Sequence, residues 1–132
     1  MHAHLLPENW AQPKGYANAV LCEAGQTLYI GGQIGWNQAC QFETDDFVGQ
    51  VEQTLINIKA LLDEANAKPE HMVRMTWYVT SKVEYTRNLH PIGQAYKKIM
   101  GKNYPAMSVV QVVALIEDRA QVEIEVTAVI FQ

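Results

Sequence analysis

Two carboxylates stand two residues apart in the segment QVEIEVTAV near the end of the chain, Glu123 and Glu125. In an extended segment alternate side chains share a face, so both glutamates point the same way, roughly 7 Å apart. A carboxylate held there can act as a general base that orients a water molecule on an electrophilic carbon. The plainer reading makes both glutamates ordinary charges on a solvated or interface surface. Gly31, Gly32 and Gly35 crowd another strand end. Glycine weakens a strand, so it marks a bulge or a place where something approaches the backbone closely. Trp36 follows this cluster and is the aromatic best placed to line a pocket, whereas Trp77 falls on the apolar stripe of its own segment and reads as core. Arg119 is the basic residue nearest in sequence to the final strand. It can reach a pocket or, more simply, pair with Glu117 or Asp118. Arg74 and Arg87 are weaker candidates.

Metal and nucleotide chemistry find no support. His2 and His4 alone make no metal site. His71 and His90 stand singly and read as capping or surface residues. The chain contains no GxxxxGK[ST], HExxH or GxSxG pattern. Cys22 and Cys40 lack CxxC spacing and read as reduced thiols.

The elements that must position these groups follow from pattern. Tyr16–Cys22 and Thr27–Ile34 are β-forming runs joined by a short Gly-containing turn, which predicts a hairpin. Phe47, Val51, Leu55, Ile58, Leu62 and Ala65 recur at helical spacing, with Thr44 or Asp45 as cap and Asn66 and Pro69 as stops. From Met72 to Thr80 the period becomes two, with Val73, Met75, Trp77 and Val79 on one face. A second helix carries Leu89, Ile92, Tyr96 and Ile99. It starts near Asn88, because Pro91 fits only a first turn or a kink, and ends at Gly101. Ala106–Leu115 and Gln121–Phe131 are strands joined by a tight charged connection, which predicts an antiparallel hairpin.

The resulting ββαβαββ order is an α+β fold, one sheet with both helices on one face through right-handed crossovers. The 132 residues suit a single domain, with 48% apolar and 18% charged residues. Ala106–Leu115 is apolar on both faces, more than two helices can cover, so self-association through the open face is expected. A net charge of −4 supplies no positive field for a phosphate backbone and argues against nucleic acid as a general partner. No run approaches the roughly 20 apolar residues that span a bilayer, nor does the N-terminus read as a signal peptide. A cytoplasmic location, with no membrane partner, is expected.

Several segments in order resemble the RidA (YjgF) family. KGYANAV is similar to its G-P-Y opening, LYIGGQIGW to its glycine-rich second strand, and VEQTLINIKALLDEANA to its long helix. MVRMTWYVT resembles the third strand, and YPAMSVVQVVAL and VEIEVTAV the last two. The resemblance implies a chorismate-mutase-like fold with one mixed sheet, a homotrimer whose sheets form a barrel, small-molecule pockets at the subunit interfaces, and no cofactor. Active members hydrolyse short 2-imino or 2-enamino acids to 2-oxo acids and ammonia. Carried over by position, Tyr16, Gly31 and Gly32 border the ligand, and Glu123 stands where a glutamate handles the attacking water. Met107 stands where the family's P-A-R-S pattern places a carboxylate-binding arginine. Such an arginine gives charge and bidentate geometry, methionine only an adaptable apolar surface. By analogy with truncating a buried charge pair, a short anionic substrate would lose about 2–5 kcal/mol of binding. Trp36 and Val109 also depart from the family pattern. The resemblance therefore implies an imine or enamine hydrolase with a different substrate, or a non-catalytic metabolite-binding trimer. RNA cleavage or translation inhibition, attached to parts of the family, fits the acidic charge balance least.

Overall fold

Helix α1 spans Phe47–Glu64 in the computed structural model, which describes residues 1–132. Of its expected stripe, Phe47, Val51, Leu55, Ile58 and Leu62 are buried, while Ala65 is the half-buried C-cap. The cap is Asp46, whose carboxylate accepts the Gly49 N–H at 2.8 Å. Thr44 acts one step earlier, its hydroxyl accepting the Asp46 N–H at 3.0 Å. Asn66, at a φ of 57°, turns the chain away before Pro69.

Two polar residues join the buried stripe, Gln50 and Thr54. Thr54 donates to the Gln50 carbonyl at 2.7 Å. The Gln50 amide donates to the carbonyls of Thr44 and Arg119 at 3.1 and 2.9 Å and accepts the Gln121 N–H at 2.9 Å. One side chain thus ties α1 to the turn before the last strand, with both ends of its own amide bonded.

The main sheet contains β3 (Gln26–Ile34), β4 (Met72–Val79), β5 (Ala106–Gln111) and β6 (Val122–Ile130), in the order β3-β6-β4-β5. Strand β6 is antiparallel to β3 and β4, and β4 is parallel to β5. The sheet is therefore mixed, as the family resemblance implied. One face packs Met75, Trp77, Val79, Val122, Ile124 and Val126 into a core with α1 and α3 (Leu89–Met100). The other carries Arg74, Thr76, Tyr78, Glu123, Glu125 and Thr127, all exposed or half-buried.

Both expected hairpins are replaced by longer-range pairings. Strand β2 (Ala19–Leu21) pairs with β1 (Ala3–Leu5) in a separate two-stranded sheet. Strand β3 instead lies along β6, from Gln26 opposite Ile130 to Ile34 opposite Glu123. Gly25 is there because a β-carbon would collide with the Ile130 carbonyl, a close approach rather than a hairpin turn. The N-terminal strand is anchored by the buried His2, whose ring bonds the Val129 carbonyl at 2.8 Å and accepts the Glu23 N–H at 2.9 Å. Three residues of strand carry too short a pattern to be read in advance.

The second correction has a similar cause. Strand β5 stops at Gln111, short of Leu115, and β4 separates it from β6. Strand β6 alternates buried and half-buried positions over most of its length, as a central strand does, whereas Ser108, Val110 and Gln111 leave β5 as an exposed edge. The connector begins with one further bond, Val112 N–H to Val79 O at 2.9 Å, and then exposes Val113 and Ile116.

The other departures are local. A register shift between Met72 and Arg74 buries Met72 and leaves Val73 half-buried. The helical stretch after β4 divides into α2 (Lys82–Arg87) and α3, joined at Asn88. Pro91 occupies the first turn of α3, and Gly101, at a φ of 67°, ends it.

Candidate functional site

The glycine cluster and one glutamate meet across β3 and β6. Strand β3 slips register between Ile30 and Gln33, so Gly31 and Gly32 form a bulge. A β-carbon at Gly32 would sit on the Glu123 carboxylate, closer to Oε2 than any real side chain approaches. Nothing lies near the corresponding position on Gly31, whose backbone is open to solvent. Gly35 serves packing instead, as a β-carbon there would press on Gln50 at 2.7 Å. Glu123 is half-buried, and no protein group hydrogen-bonds its carboxylate.

Its neighbour Glu125 is occupied. Tyr78 donates its hydroxyl to Glu125 Oε1 at 2.7 Å. That bond, with desolvation and the charges of Glu125 and Glu123, pushes the Tyr78 phenol above its ordinary value. Arg74 and Thr76 join Glu125 around a hollow of about 230 Å³ on the same face. Of the two carboxylates, Glu123 is the one that accepts no hydrogen bond from the protein.

Met107 lies elsewhere. It pairs in register with Met75, which is fully buried, so its side chain lies on the helix-covered face and packs against the core. Glu123 pairs with Tyr78 on the opposite face. Tyr16 approaches the start of β5 instead. Ala17 donates to the Pro105 carbonyl at 3.0 Å and bridges Ala106. Tyr16 then lines a groove of about 300 Å³ with His4, Asn18, Lys102 and Tyr104. The chain therefore divides the expected residues into two groups: Tyr16 and Met107 along β5, without a shared groove, and Gly31, Gly32 and Glu123 on β3 and β6. Strand β4 separates them.

Trp36 and Arg119 form a third cluster through Phe42. Trp36 and Phe42 have ring centroids 5.9 Å apart, and the Arg119 guanidinium stands 5.4 Å from the Phe42 centroid. Arg119 bonds Asp45 at 2.9 Å and the Phe42 carbonyl at 3.4 Å. Its ion-pair partner is thus Asp45, across the fold, rather than Glu117 or Asp118 beside it in sequence. Sequence reasoning passed over Phe42, Lys102, Tyr104 and the Tyr78–Glu125 bond. The period of β4 did set Tyr78 on the face opposite Trp77, but only the pairing with β6, which puts it opposite Glu123 and diagonal to Glu125, lets its hydroxyl reach Glu125.

Residues 9–130 match the family model described as Endoribonuclease L-PSP. The chain belongs to the RidA family. A Rid-family protein of unknown function from Yersinia pestis is 32% identical, with a TM-score of 0.85 and coverage of 98% of each chain. A RutC family protein from Aquifex aeolicus is 37% identical over 86% of this chain and 87% of its own length. The chain is also 31% identical to a 2-iminobutanoate/2-iminopropanoate deaminase from Dermatophagoides farinae, over 90% of this chain and 89% of that protein. RidA-family membership and the mixed α+β sheet thus agree. No helix is long and apolar enough to cross a membrane.

Proposed function

We propose that this protein is a cofactor-free imine or enamine hydrolase working at pockets between the subunits of a cytoplasmic homotrimer, each subunit a single domain of residues 1–132. The juxtaposition of Gly32 and Glu123 carries the reading. A carboxylate without a protein partner lies beside a bulge whose backbone is bare, which suits a base that orients water next to backbone groups that hold the substrate. Water adds to the C=N carbon, Glu123 accepts and returns its proton, and collapse of the carbinolamine releases ammonia and the carbonyl product. Tyr16, Gly31, Trp36 and Met107 border the substrate in this reading. The separation of the two clusters within one chain favours assembly of the site from neighbouring copies, with the unpaired β5 edge of one near the Glu123 face of another.

The similarity to an iminobutanoate deaminase supports the reaction type, and Met107 argues for a different substrate. No arginine replaces the missing one: Arg119 is held by Asp45 and Phe42, Arg74 sits on the other face, and the lysines at this edge, Lys82 and Lys102, are exposed to water. The substrate is larger or less acidic than those acids. The half-buried, core-packed Met107 favours a second reading, a trimer that holds an apolar metabolite unchanged. RNA cleavage is the weakest reading, because Glu123 and Glu125 dominate the open sheet face.

The test generates imines in situ, short and anionic or bulky and uncharged, and measures ammonia and carbonyl release. Acceleration with the bulky set, lost by about 10²-fold or more in Glu123→Gln, is expected for a removed general base. No acceleration with any imine, with a ligand recovered unchanged from a stabilised trimer, would move the assignment to the binding reading.

A further inference from the structure

Trp77 lies in the core, 2% exposed, yet its indole nitrogen is the single buried side-chain nitrogen or oxygen in the chain without a hydrogen-bond partner. A buried N–H normally finds an acceptor, because leaving it open forfeits its hydration with no return. Its position gives the orphan meaning. Trp77 pairs with Val109, as Met75 pairs with Met107, so all four side chains share the helix-covered face at the edge of the sheet. Trp77 thus shares a sheet face with Met107, one strand over and diagonal to it.

One side chain packed on the indole comes from a short helix. Tyr85 meets the indole edge-on, centroids 6.0 Å apart at 80°. Tyr85 belongs to α2, a six-residue helix without one buried residue. The helix is held by the Ser81 cap and by Lys82 N–H donating to Gln111 Oε1 at 2.6 Å. Outside Tyr85 a groove of about 230 Å³ is lined by Val79, Val109 and Val110, with the exposed Lys82 among its residues. Tyr85 therefore packs on the indole ring on one side and lines this groove on the other.

We propose that Trp77 Nε1–H is the hydrogen-bond donor of a ligand subsite at the β4–β5 edge, roofed by Tyr85, that takes an uncharged acceptor on an apolar body, such as a ketone or amide oxygen. This rests on the reading that Met107 borders the ligand pocket. An indole offers one neutral donor, enough for a carbonyl and poor compensation for a desolvated carboxylate. Burial pushes the Tyr85 phenol above its ordinary value, so it too stays uncharged. Lys82 is the one charged residue lining the groove, and its ammonium is exposed to water. The subsite thus selects against the anionic group that the family's arginine would select for.

Phenylacetone, phenylacetate and propylbenzene share an apolar body and differ in the acceptor. They are titrated into the full-length protein, following the indole N–H resonances of its three tryptophans. The Trp77 resonance is identified by its absence in Trp77→Phe. Phenylacetone is expected to move that resonance and to bind about tenfold tighter than the other two, the worth of one net hydrogen bond. In Trp77→Phe it falls to the level of propylbenzene, while Tm stays the same or rises because an orphan donor is gone. An unmoved indole resonance, tightest binding by phenylacetate, no binding up to the solubility limits, or an unchanged ketone preference in Trp77→Phe each overturn the proposal. Ammonia release and Glu123→Gln report separately on hydrolysis, so loss of that activity claim leaves the phenylacetone result to stand or fall alone.

Discussion

Gly25 and Gly32 are both glycines because a β-carbon would collide with β6, but the colliding atoms differ. At Gly25 the obstacle is the Ile130 backbone, which cannot yield without distorting the β3–β6 pairing; at Gly32 it is the end of the flexible Glu123 side chain. Gly25→Ala is therefore expected to cost about 1–3 kcal/mol, as overpacking does, read from the midpoint of urea unfolding. Gly32→Ala is expected to leave that midpoint nearly unchanged and to lower imine hydrolysis about 10²-fold, since a displaced catalytic carboxylate is a positional loss. Equal stability losses in the two variants would show that Glu123 is fixed by packing rather than poised for water. The glycine cluster is legible in the sequence as a sign of close approach. Which glycine faces a backbone and which a carboxylate is not, because that depends on the strand lying opposite.

At the scale of elements, the N-terminal strand is fastened by imidazoles. His2 and His71 are both buried and stand edge-on to Phe131, at 4.9 and 4.6 Å between ring centroids. Each accepts a backbone N–H at Nδ1, from Glu23 and Lys68 respectively, 2.9 Å in both cases. Desolvation lowers the pKa of His71 below 6.5, an effect that Glu70 opposes and that His2 and Lys68 reinforce. The unfolded chain then binds more protons than the folded one below pH 6.5, so stability falls as pH drops through the window beneath that value. A urea midpoint that declines from pH 7 to pH 5, with the slope reduced in His71→Gln, is expected. An identical slope in that variant would place the pH dependence elsewhere. Helix α1 and the alternation of β4 are legible in sequence because their periods are local properties. The hairpins are misread for the complementary reason: which strand pairs with which is decided by contacts far apart in sequence, and β6 inserts between strands made long before it.

For the whole molecule, the expectation of self-association rested on the two apolar faces of Ala106–Leu115. In one chain Val110 and, beyond the strand, Val113 and Ile116 remain exposed along this edge. In the proposed assembly a second copy covers them. Native mass spectrometry is expected to give a trimer of the 14.9 kDa chain. Val110→Asp, which places a charge on that edge, is expected to shift the population toward monomer and to remove hydrolysis together with assembly. A fully active monomer would show that the two clusters need no neighbour. The fold class was readable from pattern and resemblance, whereas the division of the candidate site into two clusters was not, because Met107 and Glu123 are separated by a strand whose place in the sheet no local signal gives.

The Gln50 side chain has a consequence for how this chain can change over generations. Its amide meets the carbonyls of Thr44 and Arg119 and the N–H of Gln121, three points on two loops remote in sequence. An insertion in either loop near those points moves a partner away and strands a buried amide. The two loops are therefore coupled in length: a descendant that lengthens one must also replace the glutamine or adjust the other.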